Sequence, residues 1–211
     1  MQIILASSNK GKIKELKKLL PQYEVIPYNK ILGSFDIVED GDSFKENAII
    51  KTKTVIDALN KINYTQDYIV ISDDSGITVP LINNEPNIYS ARYAGENATD
   101  KENNDKLVSK LKEKNISKTR AFYTACLAIG YKGEIYTTHG WMYGDVIDKE
   151  IGDGGFGYDP LFIPDGYYNT LGILENKVKK ELSHRTKALA LAMKLIKVLL
   201  KWYRCRNFYL F

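Results

Sequence analysis

The sequence predicts an α/β fold built on a mixed sheet, and three observations carry that expectation. Residues 2–27 read as strand, helix, strand. A central apolar run, "YIVIS" (68–72), passes straight into "DDSG". A long stretch, "RAFYTACLAIGYKGEIYTTHGWMYG" (120–144), alternates as a β-hairpin does.

Taken in order, "QIILA" (2–6) is a short apolar run suited to a buried strand. From about Lys10 to Leu20, Ile13, Leu16, Leu19 and Leu20 recur at helical spacing, and Pro21 stops the helix. "YEVIP" (23–27) follows as a second strand. "SFKE" (43–46) has the form of a capping box ahead of the helix "NAIIKTKTVIDAL". The strand 68–72 is expected to end directly at Asp73, Asp74, Ser75 and Gly76. A second capping box, Thr99 to Glu102, opens a helix reaching about Lys114, and the hairpin turns near Lys132 and Gly133. Residues 153–164 read as a glycine-rich loop, and Ser183 caps a final helix to about Leu200. There is no internal repeat, low-complexity tract or separating linker, so residues 1–200 are expected to form one domain. The tail 201–211 ends in "YRCRNFYLF". Its Arg and aromatic residues could stack on nucleic acid, but a frayed terminus explains them more simply.

Composition narrows the function. A net charge of +4 is too small to argue for a nucleic-acid binder. Cys126 and Cys205 are far apart with no CxxC pair, and only two His are present, which argues against a zinc site or a disulfide framework and fits a reducing cytoplasm. "IILA" is too short for a signal core. The apolar run "ALALAMKLIKVLLKW" carries Lys194, Lys197 and Lys201, so it reads as an amphipathic or buried helix and not a membrane span.

Five stretches could carry chemistry. In "LASSNKGKIKEL" (5–16) a helix starts just after a buried strand, offering unpaired N–H groups and a positive dipole end to an anion. Ser7 and Ser8 add hydroxyls, Asn9 a neutral donor and Lys12 a cation. Lys10 and Gly11 complete the turn, whose single glycine sets it apart from a Walker loop. The lysines run against the dipole's preference for acids, as they would where an anion is bound. "ISDDSG" places two carboxylates where α/β sheets hold their sites; neighbours on an extended chain face opposite ways, so one of Asp73 and Asp74 faces the site. Such a carboxylate can hold Mg²⁺ or orient a water as general base.

"IVEDGDSFKENAIIK" concentrates acids ahead of a helix, where capping explains most of them. Glu39 lies before the cap and is left for a metal, while Asn47 and Lys51, four apart, can reach one ligand. "GDGGFGYDPLF" joins flexible glycines to Phe156, Tyr158 and Asp159: an aromatic to stack on a base and a carboxylate to accept from a ring N–H. "SHRTKAL" sets His184 and Arg185 at a helix start as donors. Together these are the parts of a nucleotide hydrolase.

The motifs "SSNKGKIKEL", "FKENAIIK", "DDSGI", "YSARYAG", "GGFGYDPLF" and "LSHR" resemble, in order and spacing, those of the inosine triphosphate pyrophosphatase (Ham1-like) family, over residues 2 to about 200. The resemblance implies Mg²⁺-dependent hydrolysis of ITP, dITP and XTP to the monophosphate and pyrophosphate. It implies an elongated mixed sheet with two lobes flanking a central active-site cleft, and a homodimer. Carried over by position, Ser7, Asn9, Lys12 and Lys51 hold the triphosphate, with Ser8, Lys10 and Gly11 in the same turn. Glu39 and Asp74 hold Mg²⁺, Asp74 is the catalytic base, and Ser75 contacts substrate. Phe156, Gly157, Tyr158 and Asp159 line the base pocket, and Lys179, His184 and Arg185 complete it, with Lys177 and Lys180 beside Lys179 as alternatives. The chain departs from the family at Asn87, where many relatives carry glycine, and at Val178, where they carry an acid. Two other readings are a Maf-like pyrophosphatase, against which "GGFGYDP" and "SHR" argue, and a nucleotide-binding module without turnover. The second would gain nothing from acids placed beside a polyanion unless a metal joined them. A soluble cytoplasmic enzyme with a purine nucleoside triphosphate as its partner, and neither nucleic acid nor membrane, is the expectation.

Overall fold

The computed structural model of the chain describes residues 1–7, 13, 16, 17 and 20–208, with side chains through Tyr203. The strands are β1 (Gln2–Leu5), β2 (Glu24–Pro27), β3 (Tyr68–Val79), β4 (Glu85–Pro86), β5 (Lys118–Tyr131), β6 (Glu134–Ile147) and β7 (Phe162–Pro164). The helices are α1 (Asn29–Leu32), α2 (Phe44–Lys61), α3 (Asp100–Glu113), α4 (Asn176–Leu182) and α5 (His184–Phe208). The strands form one seven-stranded sheet in the order β2-β1-β3-β5-β6-β7, with β4 on β3. β1 pairs parallel with both β2 and β3, while β4 and β7 pair antiparallel with β3 and β6. The sheet is therefore mixed, as the sequence predicts.

The chain divides into two compact units: Met1–Asp74 with Cys126–Thr138 and Leu189–Phe211, and Ser75–Ala125 with His139–Ala188. In the first, Ile3, Ile4 and Leu5 of β1 and Ile69, Val70 and Ile71 of β3 are fully buried. Continuous apolar runs suit parallel strands covered on both faces. Ile13, Leu16 and Lys17, the described positions of the first predicted helix, are helical. Helix α2 buries Ala48, Lys51, Thr52, Val55 and Leu59, one face at helical spacing. Full burial of Val55 and Leu59 contributes about 1.5–3 kcal/mol each. A buried hydroxyl ladder ties this helix to β3: Thr52 Oγ1 donates to Ser72 Oγ at 2.9 Å, and Ser72 Oγ donates to the Ala48 carbonyl at 2.6 Å.

In the second unit, Ile77 and Val79 of β3, Leu107 and Leu111 of α3, Tyr123 of β5, Met142 and Val146 of β6, and Phe162 of β7 form the core. Helix α3 has the complete capping box: Glu102 accepts from the Thr99 N–H at 2.7 Å, and Thr99 Oγ1 accepts from the Glu102 N–H at 3.2 Å. The hairpin turn falls at Lys132 and Gly133, both with positive φ, as a two-residue primed turn requires.

Four expectations need correction. Strand β3 does not end at "DDSG" but continues to Val79, because burial resumes at Ile77 and β4 pairs with Thr78 and Val79. The box at Ser43 closes early: Ser43 Oγ accepts from the Glu46 N–H, but the Glu46 carboxylate turns back to the Asp42 N–H. The final helix does not stop near Leu200 but runs to Phe208, with Tyr203 packed edge-on against Tyr131 at 5.1 Å. The loop 153–164 ends in a 3-10 turn and strand β7. Helices α1 and α4 and strand β4 have no counterpart in the sequence reading, being too short for a periodic signal.

Asn87 has φ +52°, a conformation natural to glycine and best tolerated among other residues by Asn, which accounts for its place where relatives carry glycine. Gly76 is glycine for space: a Cβ there would lie 2.3 Å from Ser90 Oγ and 2.5 Å from the Asn87 carbonyl. Gly76→Ala should therefore lower stability by about 1–3 kcal/mol, the usual cost of overpacking. Urea unfolding at neutral pH measures this, and an unchanged midpoint would contradict the close packing.

Candidate active site

The parallel pairing of β1 with β3 ends at Leu5 opposite Ile71. Asp73 and Asp74 lie past that C-terminal edge, where open α/β sheets place ligands. Ser7, half-buried, leaves β1 at the same edge, two residues beyond Leu5 as Asp73 is two beyond Ile71. Ser8, Asn9, Lys10, Gly11 and Lys12 lie outside the described residues.

Within the first unit the structure gathers Lys51, Glu39 and Asp74. Lys51 projects from α2 with only 7% of its surface exposed. Its Nζ donates to Glu39 Oε2 at 2.7 Å and to Asp74 Oδ1 at 3.0 Å. Burial works against the ammonium, yet the charges of Asp74, Glu39 and Asp73 outweigh it and hold the Lys51 pKa above its usual value. Of the two aspartates, Asp74 bonds the lysine, and the more buried Asp73 acts on it through its charge. The loop carrying Glu39 is fastened by Asn47, whose Oδ1 accepts from the Gly41 N–H at 2.9 Å. Asn47 is thus a loop anchor here, where its spacing from Lys51 suggested a shared ligand. Gly41 permits the approach, since a Cβ there would meet the Glu46 side chain at 2.6 Å.

Within the second unit a different chemistry collects. Arg185, at the start of α5, donates from Nη2 to Ser75 Oγ at 2.9 Å, and its guanidinium lies 5.1 Å from the centre of the Phe156 ring. Phe156 is 60% exposed, with its ring open to a ligand on the side away from the guanidinium. Asp159 is buried, with its carboxylate accepting from the Phe156 N–H at 3.3 Å. Burial pushes the Asp159 carboxyl up to about 6, against the pull of that N–H and of Lys179 and Arg185. Lys179 Nζ lies 3.6 Å from where a Cβ of Gly154 would stand, while Lys177 and Lys180 are exposed. Lys179 is therefore the lysine of its helix that meets the loop. Ser183 caps α5 from below, its Oγ accepting from the Thr186 N–H at 3.4 Å. His184 is buried and stacks on Tyr123, ring centres 4.8 Å apart. Tyr158 faces inward, donating its hydroxyl to the Ser90 carbonyl at 2.8 Å, so it fixes the loop from the core side.

The sequence reading missed the loop's supports: Ser90, Tyr123, and above all Asp100 and Asn104 of α3. Asp100 accepts from the Gly157 N–H at 2.7 Å and Asn104 donates to the Gly157 carbonyl at 3.1 Å. One signal was available: Asp100 and Asn104 continue, at helical spacing, the stripe of Leu107 and Leu111 that α3 buries.

These residues also locate the chain among known proteins. The model of the Ham1 family matches residues 3–195. A dITP/XTP pyrophosphatase of Aliarcobacter butzleri (strain RM4018) is 61% identical over 200 residues, covering 95% of this chain and 100% of that protein. One from Nautilia profundicola is 52% identical over 197 residues, covering 93% and 98%. Among solved structures, the Ham1 protein of Staphylococcus aureus aligns with a TM-score of 0.83 at 37% identity, over 93% of this chain and 98% of that one. A HAM1 protein from Coxiella burnetii aligns with the same TM-score and coverage at 31% identity. In sequence and in fold, over nearly its full length, the chain belongs to the Ham1 family.

Proposed function

We propose that this chain hydrolyses noncanonical purine nucleoside triphosphates, ITP, dITP and XTP, to the monophosphate and pyrophosphate, clearing them from the nucleotide pool. The observation that carries this reading is the buried Lys51 ammonium held between the Glu39 and Asp74 carboxylates, a place built for alternating charge. The names of the similar proteins support the substrate class.

The donor set fits Mg²⁺. Two hard oxygen donors, the Glu39 and Asp74 carboxylates, converge on one cationic group. That suits an ion that keeps several waters and takes substrate phosphates as ligands. Glu39 and Asp74 would hold it, and once bound it would offset charge on the departing pyrophosphate.

The chain's own residues divide the remaining work. Asp74 orients a water and takes its proton. The water oxygen bonds to the α-phosphorus, and the bond from that phosphorus to the α–β bridging oxygen breaks, its electron pair leaving with pyrophosphate. Lys51 donates to phosphate oxygens, and Ser7, Ser8, Asn9, Lys10, Gly11 and Lys12 hold the rest of the triphosphate. Ser75 fixes Arg185, Phe156 stacks on the purine, and Gly157, Tyr158 and Asp159 shape the loop around it. Arg185, His184 and Lys179 direct donors at the 6-keto oxygen. Adenine presents an amino group there, and a site built for the acceptor rejects such an analogue on the order of 10⁴-fold. Residues 3–195, the span of the family match, carry the catalytic machinery, and the last helix continues past it to Phe208. A cytoplasmic homodimer is the assembly the family resemblance supports. Among the described residues, no helix is long and apolar enough to cross a membrane.

Incubation with ITP, XTP, GTP and ATP in Mg²⁺ should yield pyrophosphate with IMP or XMP and leave GTP and ATP nearly untouched. Orthophosphate release, binding without turnover, or equal rates on all four would overturn the assignment. Asp74→Asn should lower kcat by at least about 10³-fold while the protein still folds, since it removes the proton acceptor. A near-normal rate would remove Asp74 from the chemistry.

Asp159 sets a pH dependence of stability. Its folded pKa of about 6 lies above its ordinary value of 3.8, so the folded state holds the proton more tightly. The stability this confers is complete below about pH 4 and is lost as pH rises through about 6. Asp159→Asn should remove on the order of 2–3 kcal/mol of that loss. Denaturant midpoints at pH 4 and pH 7.5 measure it, and parallel changes in the two proteins would refute it.

A further inference from the structure

We propose that Asp100 and Asn104 are positioning residues for base recognition: from one face of α3 they grip the Gly157 peptide units on both sides and so fix where Phe156 stands. The inference rests on the base-binding role proposed above for the loop 154–159.

Phe156 poses a mechanical problem. Its ring is largely exposed, so burial does not hold it, and beyond the Arg185 guanidinium 5.1 Å from its centre its position comes from the backbone that carries it. The loop is glycine-rich, with Gly155 and Gly157 at φ +98° and +58°, and such backbone has many conformations to lose. Nothing lies within 4 Å of where a Cβ on Gly157 would point, so packing at that residue does not restrain it either. What restrains it is a pair of hydrogen bonds. Asp100 Oδ2 accepts from the Gly157 N–H at 2.7 Å, and Asn104 Nδ2 donates to the Gly157 carbonyl at 3.1 Å. The two side chains stand one helical turn apart, so a rigid helix with a complete capping box sets their spacing. With its N–H and its carbonyl both held, Gly157 is defined in position and in orientation.

Asn104 is a poor choice for stability alone. It is 4% exposed, and its Oδ1 is buried with no hydrogen-bond partner among the described residues. A buried acceptor left unmade costs more than one neutral hydrogen bond returns. An apolar residue of similar size would avoid that cost but could not hold the Gly157 carbonyl. The amide is therefore explained by what its Nδ2 does for the loop.

The decisive experiment compares Asp100→Ala, Asp100→Asn and Asn104→Leu with the wild type on XTP, ITP and ATP, with melting temperature measured on each. Asp100→Ala and Asn104→Leu should raise KM for XTP and ITP about tenfold and lower the preference over ATP by a similar factor, while kcat changes less than about threefold. Asn104→Leu should melt no lower than wild type, which separates loop positioning from fold stability. Asp100→Asn keeps an acceptor oxygen and should restore KM. Rescue failing in Asp100→Asn would mean that charge and not the hydrogen bond matters, and would overturn the proposal. So would unchanged KM and base preference in both deletion variants, or a loss confined to kcat or to melting temperature. A wild-type protein that turns over none of these nucleotides would sink the functional reading, and this inference with it. Wild-type turnover with an indifferent Asp100→Ala would sink the inference alone.

Discussion

Everything in the first unit is arranged around one buried ammonium. Lys51 can be buried because Glu39 and Asp74 bond it at 2.7 and 3.0 Å, and those carboxylates can be brought together because Lys51 stands between them. Removing one member of such a group leaves an uncompensated charge that costs about 3–5 kcal/mol when fully buried. Here Glu39 is about a third exposed, so solvent screens part of that cost. The surrounding structure serves the same end. The Thr52–Ser72–Ala48 hydroxyl ladder locks α2 to β3, which sets the height of Lys51. Asn47 holds the loop of Glu39. A charge cluster of this kind is a weak source of stability and a strong means of keeping three side chains in one place.

The second unit solves a different problem with neutral groups. Its loop carries an aromatic ring that is largely exposed, and burial does not fix such a ring. The backbone is fixed instead, from Asp100 and Asn104 on the helix side and from the Tyr158 hydroxyl on the core side. Gly155 lets the loop wrap over Asp159, because a Cβ there would fall 2.0 Å from its carboxylate. Close wrapping buries that carboxylate and moves its pKa toward neutrality. The same contact thus shapes the loop and links the stability of the fold to pH.

How much of this was legible in the sequence depends on how local each signal is. Strands β1 to β3, helices α2 and α3 and the hairpin turn follow from periodicity and capping, which act over a few residues. The elements that escaped, α1, α4, β4 and β7, have seven residues or fewer and owe their existence to tertiary contacts. The misreading at "DDSG" has the same origin. Asp, Ser and Gly are turn residues by propensity, and only the packing of Ser90 and Asn87 against Gly76 shows that the chain goes straight on. For the site, Glu39, Lys51 and Asp74 could be listed from motifs, but their convergence joins residues up to 35 apart and is invisible to spacing. Asp100 and Asn104 escaped because α3 read as an ordinary capped helix, and polar residues in its first turn looked like part of the cap although Asn104 lies in the buried stripe with Leu107 and Leu111.

That β3 is a strand through this region has a chemical consequence. Successive side chains on a strand point to opposite faces. Asp74 is thereby directed to Lys51 and Ser75, the next residue, to Arg185. Had the chain turned at Asp74, a carboxylate could have followed the hydroxyl toward the guanidinium and formed the stronger, charge-assisted bond. The extended geometry directs the acid to Lys51 and offers Arg185 a neutral hydroxyl oxygen. Continuation of the strand thus gives Asp74 and Ser75, consecutive residues, different partners.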